Sequence, residues 1–115
     1  MRKIEQDMIA AILGNFDWDK SNTYIFSEDI IAMRTGTVQL HGNIIARYKT
    51  HPLTEKRTIT FNFCGWQTVT TKSRINAILE YFNLGCVFQK NYRLYYVNSS
   101  GKELQISNNE WIVAE

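Results

Sequence analysis

Apolar residues recur at helical spacing in two stretches of this chain and alternate with polar ones through most of the rest, which predicts a mixture of helices and short strands. Ile4, Met8, Ala11 and Ile12 share one face of a short first helix, which Gly14 and Asn15 are placed to stop. Ile75, Ile78, Leu79 and Phe82 form the stripe of a second helix, with Thr70 as its N-cap and Gly85 in the left-handed position after its end. Asn15 to Asn22 reads as a polar loop carrying Phe16 and Trp18. Thr23 to Phe26 reads as a strand, and Ile30 to Arg34 as a weaker strand or a helical turn after Ser27. Thr37 to His41 and Ile44 to Lys49 predict a hairpin around Gly42-Asn43, the glycine supplying the positive φ of a type II′ turn. After a loop over Thr50 to Lys56, Arg57 to Phe63 alternates strictly, with Ile59, Phe61 and Phe63 on the core side.

Cys86 to Lys90, Tyr92 to Val97, Lys102 to Ser107 and Trp111 to Ala114 then read as a meander, with Asn98 to Gly101 closing one of its hairpins. Alternation places Tyr92, Leu94 and Tyr96 together on a core face, and Leu104 with Ile106. The predicted fold is α+β: a short N-terminal helix, an antiparallel sheet of about six to eight short strands, and one central amphipathic helix packed on it, as one domain over residues 1–115.

Composition narrows the classes. With 115 residues, 44% of them hydrophobic and a single proline, the chain has enough apolar surface for one core and is not a disordered segment. A formal charge of +2 is too small to select nucleic acid or any other partner by itself. Two cysteines, Cys64 and Cys86, are too few for a disulfide framework and read as buried structural thiols in a reducing cytosol. The apolar stretch from Met8 to Leu13 is too short for a signal-peptide core, and no run reaches membrane-spanning length, so no membrane partner is expected.

Candidate chemistry is sparse. Gly65 to Ser73, GWQTVTTKS, ends in Lys-Ser at a helix start as a phosphate-binding loop does. Thr71 stands where that loop needs glycine before the lysine, and Trp66 stands at its first position. What remains is a helix N-terminus carrying Thr70, Thr71, Lys72, Ser73 and Arg74, a candidate anion site or simply a capped start with two solvated cations. His41 and His51 have no acidic or cysteine companion at ligand spacing, so neither a metal nor thiol catalysis is expected. Glu28-Asp29, the one adjacent acidic pair, reads as an exposed turn. Cations and aromatics interleave at Arg47-Tyr48-Lys49 and again over Lys90, Tyr92, Arg93, Tyr95 and Tyr96, a pattern shared by solvated sheet edges, protein interfaces and nucleic-acid platforms.

Val38 to Tyr48 (VQLHGNIIARY) and Gly65 to Leu79 (GWQTVTTKSRINAIL) resemble the corresponding blocks of small proteins encoded by tailed bacteriophages and prophages, where an LHGN turn and a GWxTxTTxxRxNAxL helix start recur. That group carries no assigned activity, so no functional residue transfers. The resemblance implies a phage origin and the cytoplasm of an infected bacterium. By analogy with phage genes of this size, the expected role is a non-catalytic, cofactor-free binding protein on a host protein or ribonucleoprotein complex, such as an anti-CRISPR-like inhibitor of defence. Trp66, Lys72, Arg74, Arg47 and Tyr48 are the expected contact residues. A single-strand nucleic-acid binder and a protein that sequesters a nucleotide signal on Thr70 to Arg74 are the alternatives.

Overall fold

The computed structural model describes residues 1–30 and 33–115. The chain runs α1 (Lys3–Gly14), β1 (Trp18–Lys20), β2 (Thr23–Ile30), β3 (Met33–Leu40), β4 (Asn43–Thr50), β5 (Arg57–Phe61), α2 (Val69–Tyr81), β6 (Cys86–Lys90), β7 (Arg93–Val97), β8 (Glu103–Ile106) and β9 (Ile112–Val113). The strands divide between two antiparallel sheets, one of six in the order β1-β2-β3-β4-β5-β9 and one of three in the order β6-β7-β8. The predicted α+β class, with a short first helix and a second helix on the sheet, is the observed one.

Residues from both helices and both sheets bury one contiguous cluster that includes Met8, Ile25, Val38, Phe61, Leu79 and Tyr96. Each such side chain contributes roughly 1.5–3 kcal/mol by leaving water. The predicted faces hold where alternation is strict: Ile59, Phe61 and Phe63 are all buried, as are Ile75, Ile78 and Leu79. Between β3 and β4 the register shifts at Val38/Gln39, and the consecutive residues Ile45 and Ala46 are both buried. A bulge of this kind sets two residues against one and breaks the period of two.

Tertiary pairing changes several local expectations. Trp18–Lys20 is not loop but an edge strand paired with Thr23 to Ile25. Glu28 and Asp29 lie inside β2, not in a turn. The central part of the predicted Ile30 to Arg34 segment, residues 31 and 32, lies outside the described residues. The β3–β4 turn residues are His41 and Gly42, with φ of 51° and 80°. Leu40 pairs with Asn43, so both turn residues are left-handed, as in the type I′ class, and the turn is one residue earlier than the predicted type II′. Thr68, not Thr70, caps α2: its hydroxyl accepts the Thr71 N–H at 3.1 Å. Gly85 has the positive φ expected of it, 95°, but Asn83, at φ 55°, is the left-handed residue directly after the α2 cap. Gly85 is nonetheless constrained, since a Cβ there would stand 1.8 Å from the Val97 carbonyl oxygen.

The last strand, β9, leaves the meander and joins the large sheet beside β5. Helix α2 lies along β6, where the Asn76 carboxamide accepts the Val87 N–H at 2.8 Å and donates to the Val87 carbonyl at 2.9 Å.

Candidate binding faces

The residues singled out at the start of α2 separate into different environments. Arg74 is only 4% exposed, and it is not available to a partner. Its guanidinium donates to the Glu5 carboxylate at 2.9 Å and to the Thr23 hydroxyl at 3.1 Å, joining α1, α2 and β2. The Ser73 hydroxyl also donates to Glu5. Thr71 is buried, and its hydroxyl shares a 2.9 Å hydrogen bond with that of Thr68. Lys72 reaches the Gln89 side chain at 3.1 Å, at the β6 edge. The Thr71 and Ser73 hydroxyls and the Lys72 and Arg74 cations are thus partnered within the protein.

Trp66 and Thr70 line a separate cleft of about 340 Å³ between the β3–β4 turn and the start of α2, with Leu40, His41, Asn43, Thr68 and Thr71 as its other walls. Trp66 is 59% exposed at its rim. Its backbone is fixed by bonds from Trp66 N–H to the Phe63 carbonyl and from Gly65 N–H to the Asn108 carbonyl.

Register divides the large sheet into a core face and a solvent face. On the solvent face Phe26 pairs with Thr37, Thr37 with Arg47, Arg47 with Thr60, and Thr60 with Val113, making one row across five strands. Phe26, Arg47 and Val113 in that row are exposed. The Arg47 guanidinium sits 4.2 Å from the centre of the exposed Trp111 ring, a cation–π contact that holds both side chains in place. Beside Phe26 and Arg47 a groove of about 320 Å³ is lined also by Glu28, Thr35 and Lys49. Tyr48 faces the other way. It is 3% exposed, lies over Gly36, and shares a 3.3 Å hydrogen bond with the Ser27 hydroxyl. Burial pushes its pKa up from the ordinary tyrosine value. Alternation along Arg47-Tyr48-Lys49 makes this split legible once the core face is known.

The small sheet also divides into a core face and a solvent face. Val87, Leu94, Tyr96 and Ile106 are buried on the core face; Leu104, paired with Tyr96, shares that face with Ile106 as expected, but on the edge strand β8 it is 40% exposed. Phe88 pairs with Tyr95 on the opposite face, with rings stacked at 5.2 Å and 18°. Lys90 pairs with Arg93, so Asn91 and Tyr92 form the turn, both left-handed at φ 52° and 65°. Tyr92, expected on the core face, is instead 91% exposed at a hairpin tip.

Cys64 is half-buried and its thiol donates to the Ile44 carbonyl at 3.0 Å; burial raises its pKa. Cys86, expected to be buried, is exposed. His51 Nδ1 accepts the Leu53 and Thr54 N–H groups within its own loop. Among the described residues no three His, Cys, Asp or Glu side chains gather as a metal site, and no helix is long and apolar enough to cross a membrane.

No curated protein and no solved structure matches this chain. A family model described as Kyanoviridae Gp96 protein matches residues 1–114. Coverage of nearly the whole chain goes beyond the two blocks that carried the phage resemblance, and the chain therefore belongs to the Kyanoviridae Gp96 family of phage-encoded proteins.

Proposed function

We propose that this protein is a non-catalytic binding protein that docks on a host protein or ribonucleoprotein complex in the cytoplasm of the infected bacterium, through the solvent face of its six-stranded sheet. Inhibition of a host defence system, of the anti-CRISPR kind, is the role this reading favours. The observation that carries it is the Arg47–Trp111 pair at the centre of an exposed row that also holds Phe26 and Val113. Arginine and aromatic side chains dominate the energetics of protein interfaces, because each brings large contact area with few degrees of freedom to freeze. The cation–π contact fixes both before a partner arrives, which lowers the ordering cost of association.

The test is capture from host lysate with tagged protein expressed at its natural level, comparing the native chain with Arg47→Glu/Trp111→Ala. The native chain is expected to retain one defined host protein or complex, and the variant to lose it while keeping its thermal midpoint within a few degrees. Retention of the same partner by the folded variant overturns the assignment of this face. Turnover of any substrate that one cysteine or histidine substitution abolishes overturns the non-catalytic reading.

A further inference from the structure

Among the described residues, three hairpins close with two left-handed residues: Ser21-Asn22, His41-Gly42 and Asn91-Tyr92. Their second positions hold Asn, Gly and Tyr. Asparagine and glycine tolerate that conformation, whereas a tyrosine there is strained by its Cβ. The strain is not compensated by burial, because the ring is 91% exposed. The tip is nonetheless braced: the Gln67 carboxamide donates to the Tyr92 carbonyl at 3.4 Å and accepts from Asn108 at 3.0 Å. Backbone strain held at an exposed aromatic directs attention to this tip as a contact point.

Its surroundings state the chemistry of that contact. Directly behind the tip, Lys90 and Arg93 face solvent as a cross-strand pair. The next pair on the same face is the stacked Phe88 and Tyr95, followed by Cys86 and Val97. Lys72 is not part of this face, since it bonds to Gln89, which register places on the other side of β6 with Leu94. The one carboxylate that register places on this face is Glu103, beside Val97 and at the end away from the tip. Cations therefore cluster at one end of a row of aromatic rings, with the acid at the other.

We propose that the solvent face of the β6-β7-β8 sheet binds single-stranded nucleic acid, with bases on Phe88, Tyr95 and Tyr92 and phosphates on Lys90 and Arg93. Aromatic faces stack bases of any sequence, and interleaved cations hold the backbone between them. The surface is distinct from the Arg47–Trp111 face and stands whether or not that face binds a host protein.

Fluorescence anisotropy with labelled oligothymidylate and oligouridylate tests it and separates DNA from RNA as the source of the strand. At about 50 mM salt at least one of the two is expected to bind with roughly micromolar affinity, weakening steeply by about 200 mM. Tyr95→Ala is expected to weaken binding about five- to hundredfold, and Tyr92→Gly to weaken it in the same direction without loss of fold. Lys90→Ala/Arg93→Ala is expected to reduce the slope of log affinity against log salt by about 1.4, or about 0.7 for each phosphate no longer neutralised. Arg47→Glu leaves the affinity and the slope unchanged. Absence of binding to both oligonucleotides at about 50 mM salt overturns the proposal. So does binding that survives both Tyr95→Ala and Tyr92→Gly, or that is lost with Arg47→Glu.

Discussion

Arg74 and Arg47 lie on opposite sides of the same sheet, and the contrast between them separates what holds this protein together from what it presents. Arg74 is enclosed by Glu5 and Thr23, with Ser73 completing the shell of the carboxylate. Arg47 rests on Trp111 in water. An enclosed ion pair whose partner is removed leaves an uncompensated charge in a low dielectric, whereas an exposed cation that loses its ring is rehydrated. The same side chain is therefore a structural joint on one face and an available contact on the other.

The sharpest way to break this contrast is to truncate each residue in turn. Arg74→Ala is expected to lower stability by about 3–5 kcal/mol in denaturant unfolding, because the buried Glu5 carboxylate loses its ion-pair partner. Replacing both partners, as Glu5→Leu/Arg74→Met, is expected to recover much of that loss. A double variant as unstable as the single one would mean that packing, not charge, sets the cost.

On the core side of the small sheet, the Tyr96 hydroxyl donates to the Leu84 carbonyl at 2.7 Å and accepts the Glu115 N–H at 2.9 Å. Tyr96→Phe is expected to cost about 0.5–1.5 kcal/mol, since two part-buried hydrogen bonds to backbone groups are lost. Burial also raises the Tyr96 pKa above the ordinary 10.0. The folded state thus holds this proton more tightly than the unfolded chain, so stability is full below about pH 10 and declines as pH rises through the raised value. Unfolding curves taken from about pH 8 upward should show that decline, and Tyr96→Phe should flatten it.

Tyr92→Gly is expected to raise stability by about 1 kcal/mol, or roughly 4 °C in thermal midpoint, by placing Asn-Gly in a turn that favours it. A loss instead of a gain would show that the ring stabilises the hairpin. The smallest effect is Arg47→Ala, expected to change stability by no more than about 0.5–1 kcal/mol, the range of one exposed cation–π contact. If it destabilised the fold as much as Arg74→Ala, the distinction between joint and contact would fail.

Much of the fold was legible because helices and strands with strict periodicity announce their core faces: Ile59, Phe61 and Phe63, or Ile75, Ile78 and Leu79. Local pattern failed where a distant partner decided the outcome. Nothing near TTKSR marks Arg74 as buried, because the carboxylate that enables it lies 69 residues away at Glu5. Thr68, Thr70 and Thr71 can each cap a helix, and the choice depends on where the chain leaves Phe63. Tyr92 fits the alternation of Leu94 and Tyr96, and only the chain reversal at Asn91-Tyr92 removes it from their face. Trp18–Lys20 has no strand pattern of its own and becomes one through β2. Of the expected contact residues, Arg47, Trp66 and Lys72 remain near the surface, while Arg74 and Tyr48 do not.

The Asn76 carboxamide on Val87 bears on how any partner must approach. It occupies an outward-pointing N–H and carbonyl of β6, much as the backbone of a further strand would. An extended peptide adding itself to that border would have to displace a side chain anchored in α2, and so would a second copy of the chain seeking to prolong the sheet. Recognition at this end is thereby turned from backbone pairing toward side-chain chemistry, and uncontrolled polymerisation through β6 is discouraged by the same two hydrogen bonds.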